Sequence, residues 1–236
     1  MQTFSTKAAI KAGWTDFKSH KGLLIGATLV TGLISGIQNS LNKPHSPVGP
    51  AVFVVLVFLW VLSIVNQIGW YKMALKIIAG EQSSIKELFS HWGLFWDFIV
   101  VHLWILWKAI VWVVPMLVVG GLFIIGVPFA PVLLPIGIAI SVIGSWIVFL
   151  RYSFAALYMI EKGVTPRQAI EQSASLTEGI RTKIFWALIL LVLVVIAGAI
   201  VFGVGLLVSI PVSVLAYVHI YRALSGQGLT PESPRV

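Results

Sequence analysis

Long apolar runs without charged residues constrain the fold of this chain more than any other feature. Residues 22–41 and 184–221 contain no Asp, Glu, Lys or Arg. A helix needs about 20 mostly apolar residues to cross the hydrocarbon core of a bilayer. Charged residues make up only 10% of the 236 residues, and the mean hydropathy is +0.99. Soluble domains carry about 25% charged residues, so the sequence predicts a polytopic membrane protein.

The apolar runs predict an all-α bundle of about six transmembrane helices. The first two spans are 22–41 and 50–72, separated by a loop rich in proline. The segment 98–160 holds two more spans, which turn within residues 120–135. The uncharged run 184–221 is too long for one span, and its glycines and Pro211 offer a turn between a fifth and a sixth. We expect one integral membrane domain, residues 1–225, followed by a short polar tail, 226–236.

The basic residues predict the orientation of the spans. With the N-terminus in the cytoplasm, the outer loops hold only Lys43, and Lys108 falls within the third span. An excess of Lys and Arg in cytoplasmic loops is the usual pattern, so we expect a cell-membrane protein with both termini in the cytoplasm. The basic residues then assigned to the cytoplasm are Lys7, Lys11, Lys18, Lys21, Lys72, Lys76, Lys86, Arg151, Lys162, Arg167, Arg181, Lys183, Arg222 and Arg235.

One polar segment, residues 163–183, interrupts the apolar sequence and has the pattern of a short amphipathic helix. Thr165 and Gln168 have the spacing of a capping box, and Pro166 suits the first helical position. Apolar and small residues then recur at helical spacing. The residues expected on this face are Ala169, Ser173, Leu176 and Ile180.

Two other segments, 5–21 and 83–97, have a similar amphipathic pattern, and Ser84 with Glu87 predicts a second capping box. Each of the three segments is followed by two spans. The chain therefore reads as three copies of a unit that consists of an interfacial helix and two spanning helices. The alternative is that cytoplasmic connectors tend to be amphipathic whether or not they belong to a repeat.

The third span contains the least expected ionisable group, Lys108, together with His102. If the spans of all three copies begin at the same distance from their amphipathic helices, the third begins near Phe98 and Lys108 lies near mid-membrane. A charge at that depth is costly and is usually paired or functional, although a lysine can also snorkel towards the interface. The predicted polar site comprises Lys108, His102, Asn66, Gln67 and Arg151. The alternative for the polar residues is ordinary hydrogen bonding between helices.

The net charge of +8 is spread over connectors beside the spans rather than collected in one patch. This placement argues against nucleic-acid binding and favours anionic lipid headgroups on the cytoplasmic leaflet as partners. Small residues four apart, such as Gly32 and Gly36, would also suit a protein partner or a homo-oligomer. The predicted headgroup contacts are Lys7, Lys11, Lys18, Lys21, Arg167, Arg181 and Lys183.

The sequence contains no pattern of a catalytic or cofactor site. There are no cysteines, so thiol catalysis and cysteine metal sites are excluded. A glycine-rich phosphate loop, HExxH and GxSxG are absent, and the five histidines are scattered along the chain. We therefore expect a non-enzymatic protein with no cofactor or metal.

Two sequence motifs resemble those of a known group of membrane proteins. The motif "RYSFA" occupies residues 151–155, and the helix "AIEQSASLTEG" occupies residues 169–179. Together they resemble a broad family of uncharacterised prokaryotic integral membrane proteins, similar to the membrane domain of some glycerophosphodiester phosphodiesterases. The resemblance implies a similar topology. The chain has no segment long enough for the phosphodiesterase barrel, so the resemblance does not imply that activity.

Two functional hypotheses follow from these patterns. The first is a non-enzymatic scaffold, accessory or lipid-interacting protein whose basic amphipathic helices contact anionic headgroups. The second is a small transporter or channel-like protein that uses the polar residues around Lys108. A membrane-embedded lipid enzyme is a third class, but no catalytic constellation in the sequence favours it.

Overall fold

The computed structural model describes residues 4–42, 49–200 and 203–226, and over these residues it contains helices and turns but no strand. The predicted all-α fold is therefore confirmed. The predicted tail lies outside the described residues from residue 227 onward, as does the loop that contains Lys43. The α-helices are α1 (Thr6–Ser19), α2 (Lys21–Leu41), α3 (Pro50–Ala79), α4 (Phe95–Ile110), α5 (Val114–Ile124), α6 (Ala130–Tyr152), α7 (Ala155–Lys162), α8 (Pro166–Leu176), α9 (Arg181–Ile200) and α10 (Leu206–Leu224).

Six helical segments among the described residues are long and apolar enough to cross a membrane, which confirms the predicted number. The apolar regions 98–160 and 184–221, for which a turn is predicted, each contain parts of two such segments. The turns lie at residues 125–129 and near Gly203. The six segments are Lys21–Leu41, Pro50–Ala79, Ile85–Ile124, Pro131–Lys162, Arg181–Ile200 and Leu206–Leu224.

Two helix boundaries differ from the predicted ones. Helix α3 continues to Ala79 instead of ending at residue 72, and Gly80 ends it with a left-handed φ of 77°. Good helix formers occupy most of the added turns, so the change from apolar to mixed composition does not stop the helix. The third span is interrupted by a 3₁₀ turn, Val111–Val113, just before Pro115. Proline lacks the N–H that a continuous α-helix would use there.

The chain divides into two compact units, residues 1–95 with 186–236 and residues 96–185. In the first unit α1 packs along α10, and α2 packs on both α3 and α10. The approach of α1 to α10 is close, since a Cβ added to Gly13 would lie 2.8 Å from the Val212 carbonyl oxygen. A glycine at this position therefore sets how near the two helices can come.

The second unit contains an antiparallel helical hairpin, α5–α6, and a shorter pair, α7–α8. In the hairpin the ring of Trp112 lies against Gly144, and the backbone of Pro115 lies beside Gly137. Helix α6 ends at Tyr152, and α7 begins at Ala155 after a two-residue break. This break places the charged end of α6 next to α8.

The three predicted amphipathic segments have different outcomes. Helix α8 has the predicted capping box, because the side chains of Thr165 and Gln168 each accept a bond from the other's backbone N–H. Helix α1 is also present, capped by Ser5. The predicted capping box of Ser84 and Glu87 is wrong. Residues 85–89 and 92–94 form 3₁₀ turns, and Ser84 makes no capping bond. The Glu87 carboxylate instead pairs with Lys76 Nζ at 2.8 Å.

Candidate functional site

Lys108 and Arg151 form a cationic cluster around one aromatic ring in the second unit. Lys108 lies in the last turn of α4, and its Nζ is 5.8 Å from the Trp104 ring centroid and 5.6 Å from that of Tyr152. The Arg151 guanidinium carbon is also 5.6 Å from the Tyr152 centroid. These are cation–π distances. Tyr152 ends α6, so the Lys108 ammonium lies level with the end of that helix rather than with its middle.

Among the described residues no carboxylate pairs with this cluster. Within the described residues neither Lys108 nor Arg151 forms an ion pair, and their contacts to charged or aromatic groups are those with Trp104 and Tyr152. A groove of about 370 Å³ runs beside both cations and continues along apolar side chains, including Val111, Ile147 and Val148. The groove thus has two positive charges at one end and hydrocarbon along its walls.

Helix α8 fixes the backbone from which Arg151 and Tyr152 project. Ser173 Oγ donates to the Arg151 carbonyl oxygen at 3.1 Å and accepts from the Phe154 N–H at 3.3 Å. Thr177 Oγ1 donates to the same carbonyl at 3.1 Å. Ser173 and Thr177 are fully buried. Because the break after α6 leaves backbone groups without intrahelical partners, these hydroxyls replace the missing helix bonds.

The same contacts join the two motifs on which the family resemblance depends. The segment 151–155 supplies the broken helix end, and Ser173 and Thr177 belong to the helix of the second motif. Separate short motifs of the sequence therefore meet in one hydrogen-bonded corner of the second unit.

Asn66 and Gln67 belong to the first unit. Asn66 Nδ2 donates to Thr31 Oγ1 at 2.9 Å, and Trp70 Nε1 donates to the same oxygen at 2.8 Å. Asn66 is buried, and among the described residues its Oδ1 has no hydrogen-bond partner. Gln67 is exposed and bonds Tyr71. This network joins α2 to α3, as ordinary interhelical hydrogen bonding would.

The five residues of the predicted polar site therefore do not share one environment. Asn66 is buried, Lys108 is half-buried, and His102, Gln67 and Arg151 are exposed. The His102 ring donates locally, since its Nδ1 is 2.8 Å from the Phe98 carbonyl oxygen one turn earlier. Asn66 and Gln67 belong to the first unit, and Lys108, His102 and Arg151 belong to the second. A transport pathway around Lys108 stays a prediction.

The predicted headgroup contacts also separate into groups. Lys7, Lys11 and Lys18 are exposed along α1. Lys21 and Lys183, at the starts of α2 and α9, are exposed as well. Arg167 forms an exposed ion pair with Glu171 at 3.1 Å. Arg181 is half-buried, and its Nε has no hydrogen-bond partner among the described residues. Helix α1 thus presents the clearest unpaired basic surface.

Two structurally important groups have no local signal in the sequence. Asp16 Oδ2 and His219 Nε2 lie 2.7 Å apart and join α1 to α10 across almost the whole chain length. Tyr152 of α6 contacts Lys108 of α4, with 5.6 Å from its ring centroid to Nζ. Neither arrangement follows from helical spacing, because each depends on packing between distant segments. Only contact information between distant positions, such as covariation, could have revealed them.

The described residues contain no group of three or more His, Asp or Glu side chains that could hold a metal ion. No protein-family model, curated protein or solved structure matches the chain. The resemblance to the membrane domain of glycerophosphodiester phosphodiesterases therefore stays a prediction.

Proposed function

We propose that the chain is a multi-pass protein of the cell membrane that binds anionic phospholipid headgroups at the cytoplasmic leaflet. In this role it is a non-enzymatic scaffold or accessory protein, with both termini in the cytoplasm. The single observation that carries the proposal is the exposed face of α1, on which three lysines and one tryptophan are aligned. We call this face the α1 stripe, and it consists of Lys7, Lys11, Trp14 and Lys18.

The α1 stripe has the chemistry of a membrane-surface helix. Its residues are spaced by four, three and four positions, so they lie on one side of the helix. The face that contains Ala9, Gly13 and Phe17 is buried. Lysines attract anionic headgroups, and tryptophan prefers the membrane–water interface. The three lysines form no ion pair within the described part of the chain.

The charge of the α1 stripe also limits its depth. Three exposed lysines cannot face hydrocarbon without a large cost, so α1 lies at the headgroup level or beyond it. The adjoining half of α10, from Val212 to His219, then lies at the same level, because α1 packs directly against it. This placement supports a cytoplasmic N-terminus under the positive-inside rule.

The proposal includes the threefold repeat of an interfacial segment and two spans. Support comes from one kind of packing, a short segment against a spanning helix, that occurs three times in the described residues. The turn at 85–89 packs on α3, α8 packs on α7, and α1 packs on α10. In each case a short segment lies against the end of the second span of a pair. Repeats of this kind bury the face of one copy against another.

The test compares α1 in two kinds of nanodisc. We expect phosphatidylglycerol in the disc to slow amide hydrogen exchange over residues 5–19, relative to discs of phosphatidylcholine alone. The variant K7Q/K11Q/K18Q should lose this protection, because each lysine near an anionic surface contributes about 1 kcal/mol. The control K7R/K11R/K18R keeps the charge and should behave like the wild type. Equal exchange in the two lipids for the wild-type protein would reject the proposal.

A further inference from the structure

The cationic cluster of Lys108 and Arg151 is built unlike the α1 stripe. Its two cations come from different helices and contact one shared tyrosine ring, at 5.6 Å each. The Arg151 carbonyl oxygen accepts from two buried hydroxyls, that of Ser173 in α8 and that of Thr177, the C-cap of α8. Both cations line one groove, and within the described residues neither is paired with a carboxylate, so an anion in the groove would be attracted to both. The cluster is therefore prepared for one anionic group.

The groove beside the cluster determines what kind of molecule carries that anion. Its walls are apolar and include Val111, Ile147 and Val148. A free phosphate would contact only the charged end and would leave these walls exposed. A molecule with a phosphate at one end and hydrocarbon behind it fits both parts.

An exposed apolar track continues from the charged end along α6. Ile140, Ile143, Ile147 and Arg151 follow one another at spacings of three or four residues, so they share one face of the helix. The three isoleucines are 44%, 60% and 41% exposed. From residue 140 to residue 151 this face is about 16 Å long, which accommodates much of one acyl chain.

We propose that this groove is a binding site for a single anionic phospholipid. Its phosphate contacts Lys108 and Arg151 where both line the groove, and an acyl chain lies along the track that begins at Ile147. The inference deepens the proposed function and rests on it, since it assigns one specific lipid site to a protein that otherwise holds headgroups by a charged helix face. Tyr152, which contacts both cations, lines the same groove.

The experiment uses the full chain in mild detergent with phosphatidylglycerol as the probe. Bound lipid is counted by native mass spectrometry for the wild type, K108Q/R151Q, K108R/R151K and K7Q/K11Q/K18Q. We expect the affinity for phosphatidylglycerol to fall about thirtyfold in K108Q/R151Q, at about 1 kcal/mol for each lost cation. K108R/R151K and K7Q/K11Q/K18Q should keep the tightly bound lipid. Phosphatidylcholine should bind more weakly, and millimolar inorganic phosphate should not compete.

A second measurement needs no variant and so does not depend on how a variant folds. Phosphatidylglycerol with a photoreactive acyl chain should crosslink to peptides that contain Val111 or Ile147. Crosslinks elsewhere but not there would overturn the site, as would unchanged lipid binding in K108Q/R151Q.

The outcomes separate this inference from the proposed function. Retention of phosphatidylglycerol by both the wild type and K108Q/R151Q overturns the groove and leaves the proposed function standing. Failure of the wild type to prefer phosphatidylglycerol over phosphatidylcholine overturns both. Competition by inorganic phosphate identifies a soluble phosphate compound as the ligand and overturns the lipid assignment.

Discussion

At the scale of single residues, glycines set the distance between backbone segments. Gly69 of α3 faces the 3₁₀ turn at 85–89, and a Cβ added there would lie 2.6 Å from the Leu88 carbonyl oxygen and 2.7 Å from that of Glu87. These atoms belong to the backbone, so no side chain can rotate away. Leu88 is fully buried at this contact. The ion pair between Lys76 and Glu87 lies in the same interface. The close approach at Gly69 therefore positions both the buried Leu88 side chain and this ion pair.

We expect Gly69→Ala to destabilise the protein by about 1–3 kcal/mol, because the added methyl group forces two backbones apart. Thermal unfolding in detergent measures the change. The control is Gly36→Ala in α2, where an added Cβ has no neighbour within 4 Å. There the substitution should be neutral or slightly stabilising, since alanine favours helix over glycine. A neutral or stabilising effect of Gly69→Ala, like that expected for Gly36→Ala, would show that the close approach does not limit stability.

At the scale of elements, short segments are held by contacts with the ends of spans rather than by their own stability. Helix α1 has only 14 residues, and isolated helices of that length are marginal in water. Its buried face packs on α10, and Asp16 pairs with His219 at the edge of this contact. Helix α8 is shorter still, with 11 residues, and has a capping box and two buried hydroxyl contacts.

We expect Asp16 and His219 to be energetically coupled. In a double-mutant cycle of Asp16→Ala and His219→Ala, the coupling energy should be about 1 kcal/mol or more, because the pair is largely shielded from solvent and joins two elements. Native-state hydrogen exchange of the α1 amides measures the opening free energy.

The matched control for this cycle is the exposed pair of Arg167 and Glu171 in α8, whose side chains are 84% and 63% exposed. An i,i+4 pair of that kind should couple by about 0.3–0.5 kcal/mol. Coupling between Asp16 and His219 no larger than in this control would mean that packing alone holds α1 to α10.

At the scale of the whole molecule, six segments are long and apolar enough to span a membrane, and the proposed topology places both termini in the cytoplasm. The absence of cysteine from the sequence allows a direct test with single introduced thiols. Lys18→Cys reports on α1, and Ile125→Cys reports on the turn between α5 and α6, where residue 125 is 73% exposed.

In intact cells an impermeant maleimide should label Ile125→Cys and leave Lys18→Cys unlabelled until the membrane is permeabilised. The reason is the excess of basic residues on the α1 side, which favours retention in the cytoplasm. Ser175→Cys in α8, also at an exposed position, should behave like Lys18→Cys. Labelling of all three thiols in intact cells would contradict the six-span topology.

The parts of this fold that could be predicted are those determined by local sequence. The uncharged run before Leu41 and the Thr165–Gln168 capping box need only neighbouring residues, and both agree with the structure. The capping box at Ser84 fails because Glu87 binds Lys76, a partner that local pattern does not include. Lys108 could be singled out from its apolar neighbours. Its position beside Tyr152 could not, because a different helix supplies that ring.

The contact between α1 and α10 has a consequence for how the protein is made. Synthesis delivers α1 well before α10, so the buried face of α1 has no partner until α10 has been made. At translation rates of about 5–20 residues per second, this wait lasts roughly 10–40 seconds. Until then Gly13 and Phe17 lack the surface that buries them in the folded protein. A chain truncated before Val212 would never cover them, which would give quality-control enzymes a means of recognising incomplete copies.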